Sequence, residues 1–386
     1  MQVRRRHVLY VGGFDPRSPA LTHRRYAEEG ARQAAVGGYR LQVGPRERAN
    51  DWCDAWTVRA EMDGVATETR FECLRWDDIV RAHWARGPWG VLRATALASW
   101  HLWRDGIMWR TLRTSWPAFL ALGLPSLLLV AAMLGGAGLG LLAMATPWLA
   151  GGLALVGIAL AWRLVARAHL PWLMRSMAML VRQGRGQTPA LDARVNAWSA
   201  HLAAVLQTAP ADEVLVVGHS SGAMLAMLTA ARALQGRPGT RLSLLTLGHC
   251  TQMLSQQPTA HAFRAELVAL ARADGLTWVD VSAPPDACCM ALVSPTWHAG
   301  LELAAAPTPT LVNPRFAQLF DADRYAALKR DRYGCHFQYV MAGQRPGTWD
   351  YFAATAGPQT LRTRFAPETS ATGFTRFQLL GGPPPW

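Results

Sequence analysis

The chain has 386 residues, 51% of them apolar and 17% charged, and a net charge of +13. That length suits one large α/β domain carrying an insertion, or two domains. The charge content falls below the ~25% of ordinary soluble domains, so part of the chain is expected to avoid water. The positive charge is nearly all arginine, since Lys329 is the only lysine. No basic run is interleaved with stacking aromatics, so no nucleic-acid partner is expected. The six cysteines, Cys53, Cys73, Cys250, Cys288, Cys289 and Cys335, lack paired zinc spacing. Unpaired thiols in a reducing compartment are the expectation.

In chain order, Arg4-Arg5-Arg6 precedes a short apolar run, His7 to Val11. The run is too short for the core of a signal peptide, so no export is expected. It reads as a buried strand followed by a turn at Gly12-Gly13-Phe14-Asp15-Pro16. A helix follows over about Thr22 to Ala35, then a strand at Tyr39 to Val43. Two alternating runs, Trp56 to Glu61 and Thr67 to Cys73, flank Asp63-Gly64 and predict a β-hairpin.

From Thr114 to Trp162 no residue is charged. One crossing of a bilayer needs ~20 apolar residues, so this stretch is long enough for two. The expected division is helices at about 116–134 and 139–162, with a turn at Gly135-Gly136-Ala137-Gly138. Arginines on both flanks place both ends in the cytoplasm by the positive-inside rule. Ten of the 17 tryptophans fall between Trp76 and Trp172. Indoles favour the headgroup layer, so residues 78–113 and 163–183 are read as membrane-surface helices, or as a cap packed beneath the catalytic domain.

Beyond this region Leu191 to Thr208 is helical. Val214-Leu215-Val216-Val217 then runs into Gly218-His219-Ser220-Ser221-Gly222, and a small-residue helical pattern follows. A serine hydroxyl is a poor nucleophile until backbone geometry presents it to a base. A sharp strand-to-helix turn does this, with glycines where a Cβ would crowd it. A strand at Leu242 to Leu247, a helix at about Ala260 to Ala273 and a strand at Thr277 to Ser282 complete the alternation.

Strand, Gly-x-Ser-x-Gly and helix in this order resemble the nucleophile elbow of the α/β-hydrolase superfamily, its lipases and esterases in particular. The resemblance implies a Ser, acid, His order along the chain, with the acid after a late strand. Asp280 falls within the strand Thr277 to Ser282, whereas Asp286 follows it in Ala283-Pro284-Pro285-Asp286. Asp286 is preferred because sites on open α/β sheets form beyond the strand ends, and Asp280 stays the alternative. Downstream of both lie two histidines, His298 and His336. His336 is preferred for its late placement, and His336-Phe337-Gln338-Tyr339 is similar to the His-x-x-Tyr of some lipases. His298 stays the alternative base. The resemblance also assigns oxyanion donors to Ser221 and to Gly13 and Phe14 in the Gly-rich turn after the first strand. No antiparallel strands are read before that turn, which departs from the family.

The fold expected is therefore α/β: an α/β-hydrolase-like, mostly parallel sheet flanked by helices, with an inserted transmembrane hairpin and membrane-surface helices. Residues 1–77 and 184–386 would form the hydrolase domain, and 78–183 the membrane-associated insertion. The function implied is a membrane-anchored serine hydrolase at the inner membrane, its catalytic domain facing the cytoplasm. It would cleave a carboxylic ester, lipid-derived in view of the hairpin, through an acyl-enzyme on Ser220. An acyltransferase, a thioesterase or a non-catalytic interaction module are the alternatives. The expected partners are a lipid bilayer and a small-molecule or lipid ester. No metal or cofactor is called for, because no cluster has ligand spacing. Oligomeric state is not legible.

Overall fold

The structure is a computed structural model describing residues 2–167, 170–297, 309–371 and 374–379. Nine strands make one sheet: β1 (Arg5–Val11), β2 (Arg40–Val43), β3 (Glu47–Asn50), β4 (Cys53–Met62), β5 (Val65–Leu74), β6 (Glu213–His219), β7 (Leu242–Leu247), β8 (Leu276–Val281) and β9 (Thr310–Val312). Their spatial order is β2-β4-β5-β1-β6-β7-β8-β9, with β3 also on β4. The segments before residue 78 and after residue 183 thus share one sheet.

Local chemistry explains the strands. The exposed half of β4 buries Val58, Ala60 and Met62 and exposes Arg59 and Glu61, the period of a half-solvated strand. Its hairpin to β5 turns at Asp63 and Gly64, whose φ values of 52° and 73° are both positive. This is the primed turn that matches the strand twist. By contrast β7 is buried throughout, as parallel strands covered on both faces are. Alternate residues of β1 feed two cores. Leu9 and Val11 join Val216, Leu244 and Trp278 on one face. Val8 and Tyr10 join Leu215, Val217, Tyr26 and Phe352 on the other.

Two expectations about the fold are corrected. The sheet is mixed: β2, β3 and β5 pair with β4 antiparallel, while β5, β1, β6, β7, β8 and β9 pair in succession in parallel. The β4–β5 hairpin and the β2 strand are legible in the sequence, but β3 is short and polar and the pairing of β2 and β3 with β4 is not. The second correction concerns the insertion. Among the described residues no helix is long and apolar enough to cross a membrane, so the transmembrane hairpin falls. The inner-membrane localisation rested on it and falls too.

The helix starting at Trp116 runs through the glycines to Ala145, and a second spans Pro147–Arg167. The break is at Thr146, with φ −143° and ψ 72°, because a residue before proline is pushed out of the helical region. Glycine only weakens a helix, by about 1 kcal/mol, and does not end one. The apolar start of this stretch serves as core: Ala118 and Leu122 are buried with Leu102, Met108 and Leu173. The flanking segments do the same, contributing Ala98, Ile107, Met177 and Leu180. Composition alone does not separate a helix greased for packing from one greased for lipid.

Candidate active site

The strand β6 ends at His219 and the helix Ser221–Leu234 begins two residues on, so Ser220 must turn the chain alone. It does so at φ 58° and ψ −130°, a strained conformation for a residue with a side chain. The Ser220 N–H donates to the Leu247 carbonyl at 2.9 Å, which helps hold the turn. Both motif glycines are demanded by contact. A Cβ on Gly218 would overlap Ala223, and one on Gly222 would overlap the carbonyl oxygens of Val11 and Gly12. The turn after β1 therefore lies directly against the elbow. A Cβ on Gly13 would stand 3.0 Å from the Ser220 Cβ.

His336, in the short helix Arg332–Phe337, reaches Ser220 from the far end of the chain. Its Nε2 accepts from the Ser220 hydroxyl at 2.8 Å, and its Nδ1 donates to Asp286 Oδ2 at 2.9 Å. The carboxylate fixes the tautomer, leaving the Nε2 lone pair toward the serine. Asp286 is buried, and Oδ2 also accepts from the Tyr339 hydroxyl at 3.0 Å while Oδ1 accepts from the Cys288 N–H at 2.9 Å. Burial alone would push this carboxyl up. The electrostatic attraction of the neighbouring His336 and these hydrogen bonds outweigh it and hold the carboxyl below its ordinary value.

His219 donates from Nε2 to the backbone carbonyl of His336 at 2.8 Å, pinning the histidine from behind. Burial, and then the neighbouring His336, depress its pKa to about 3, so it remains a neutral donor. The Gly-rich turn is held by two indoles. Trp76 donates to the Gly12 carbonyl and Trp172 to the Phe14 carbonyl, each at 2.9 Å. Trp172 also lies with its ring centroid 5.8 Å from that of His336. Among the described residues no hydrogen bond takes up the N–H groups of Gly13, Phe14 or Ser221. Donors left free beside a serine hydroxyl suit an oxyanion.

Ser220, His336 and Asp286 thus meet, with Gly13, Phe14 and Ser221 beside them. Asp280 is elsewhere: its Oδ1 accepts from Thr246 Oγ1 and His249 Nε2, both at 2.6 Å, in a buried cluster tying β7 to β8. His298 lies outside the described residues. The residues that sequence reasoning did not single out are His219, Trp76 and Trp172. Tyr339 was visible only as part of a His-x-x-Tyr pattern. Among the described residues one group could supply three metal ligands, Asp286, Cys288 and His336. The Nδ1 of His336 is already committed to Asp286. Burial, with Asp286 close by, raises the Cys288 thiol well above its ordinary pKa, against the thiolate that a metal needs.

A cavity of about 90 Å³ opens beside Ser220, walled by Gly13, Phe14, Arg25, Trp172, Phe337 and Tyr351 among others. It opens to solvent on one side, so it suits a short group beside Ser220 while the rest of a substrate lies outside. Compared with protein-family models, curated proteins and solved structures, the chain matches none of them.

Proposed function

We propose that this protein is a serine hydrolase of α/β-hydrolase type that cleaves a carboxylic ester through an acyl-enzyme on Ser220. The observation that carries the reading is the hydrogen-bonded line Ser220–His336–Asp286, with links of 2.8 and 2.9 Å. His336 takes the hydroxyl proton as Oγ attacks the ester carbonyl, and Asp286 stabilises the imidazolium that forms. The N–H groups of Gly13, Phe14 and Ser221 receive the oxyanion. His336 then gives the proton to the leaving alcohol. In the second half it deprotonates a water, which attacks the acyl-serine and releases the carboxylic acid.

The expected lipid-derived substrate rests on the membrane hairpin and falls with it. The small cavity supports a short ester instead. A fluorophosphonate probe tests the nucleophile: it is expected to label the wild-type chain and not Ser220→Ala. Equal labelling of both would remove Ser220 from the mechanism.

A further inference from the structure

Three arginines and two aspartates line the cavity beside Ser220. Arg17 is taken up by Asp15, at 2.6 Å, and by the Tyr333 hydroxyl at 3.0 Å. Arg75 lies 3.3 Å from both Asp54 and Asp77, and Asp77 is also paired with Arg81 at 2.6 Å. Each carboxylate of the wall therefore has its cation. Arg25 does not have its anion: among the described residues no carboxylate pairs with it.

Arg25 projects from the helix Pro19–Gly37 and is half-buried. Its guanidinium sits 5.5 Å from the ring centroid of Phe337, the residue after His336. That ring lies 5.3 Å from His219 and 5.8 Å from His336. The cation is thus held by a flat aromatic face close to the reacting groups. Its charge acts on Tyr10 and His219, two further residues of the same wall. A guanidinium presents planar donors that match a carboxylate or phosphate in bidentate fashion, and partial burial strengthens the pairing.

We propose that Arg25 anchors an anionic group of the substrate, making the preferred substrate a short ester that carries a carboxylate or phosphate a few atoms from the scissile carbonyl. This rests on the serine-hydrolase reading of the same site and names its substrate class. The limited cavity volume favours a short chain, and the unpaired cation disfavours a wholly apolar one. An apolar group there would leave the guanidinium desolvated without a partner.

The test is binding without turnover. On the Ser220→Ala chain, calorimetry compares methyl hydrogen glutarate with methyl valerate, which differ by a carboxylate in place of a terminal methyl. Inorganic phosphate and glutarate serve as free-anion competitors, and displacement by glutarate but not by phosphate assigns the subsite to carboxylates. The acidic ester is expected to bind at least tenfold tighter. Adding Arg25→Met is expected to erase the difference, whereas Arg25→Lys retains part of it and controls for misfolding. Equal affinity for the two esters on the Ser220→Ala chain, or a preference that survives Arg25→Met, overturns the proposal. Because no catalysis is involved, this result is separate from the fluorophosphonate labelling that tests Ser220.

Discussion

The indole of Trp172 donates to the carbonyl of Phe14 across 158 residues of sequence, at 2.9 Å. That bond fixes the end of the turn after β1 at its Phe14–Asp15 peptide. Trp76 holds the Gly12 carbonyl, whose peptide carries the Gly13 N–H on its opposite side. The segment that follows the apolar helices is thereby part of the site rather than an appendage to it.

Trp172→Phe keeps the ring against His336 and removes the N–H. In the proposed hydrolase, kcat is expected to fall about 10- to 100-fold, the scale of a small misplacement of catalytic groups. KM for a neutral short ester should change far less. Steady-state kinetics on 4-nitrophenyl butyrate reads both. A selective rise in KM would make Trp172 a substrate contact instead.

The two candidate acids separate cleanly. Asp286 orients His336, so Asp286→Asn is expected to lower kcat by about 10⁴-fold through the wrong imidazole tautomer. Asp280 ties Thr246 and His249 together away from Ser220. Asp280→Asn should lower the unfolding midpoint while kcat stays within a few-fold of wild type. The reverse pattern would return the acid to Asp280.

How much of this was legible follows from sequence distance. The elbow could be read because strand, turn and helix are contiguous from Val214 to Met224. The Asp63-Gly64 hairpin could be read because its turn chemistry is local. Asp286 and His336 could be ranked because chain order limited the choices. What could not be read depends on contacts between remote segments. His219 looks like the variable residue of a motif until its ring meets the His336 carbonyl. Trp76 and Trp172 look like any of the tryptophans around the insertion. Strand β3, Glu47–Asn50, contains no strongly apolar residue, so it carries no hydrophobic period. The insertion misled for the opposite reason, an excess of apolar signal that packing partly uses.

Gly222 tests the contact between elbow and turn. A Cβ there runs into the backbone oxygens of Val11, which ends β1, and Gly12, which begins the turn, and these cannot swing aside like a side chain. Gly222→Ala is expected to destabilise by about 1–3 kcal/mol, as overpacking does, and to displace the oxyanion turn. Urea denaturation gives the first effect. Loss of fluorophosphonate labelling at a temperature where the variant remains folded gives the second. A variant that labels at the wild-type rate would mean that the turn does not serve the reaction.

His219 makes stability depend on pH, and the sign can be worked out. Burial, with His336 beside it, holds its folded pKa at about 3. In the unfolded chain it titrates near 6.5. Between those values the unfolded state binds the extra proton, so stability falls as pH falls through this window, by up to about 1.4 kcal/mol per unit. Carboxylates with ordinary unfolded values contribute mainly below pH 5, so the interval from 7.5 to 5 isolates histidine. Over it the wild type is expected to lose about 2 kcal/mol more than His219→Gln, whose amide can still donate to the His336 carbonyl. Urea midpoints at the two pH values measure the difference. Parallel losses in both chains would mean that His219 takes up its proton inside the fold.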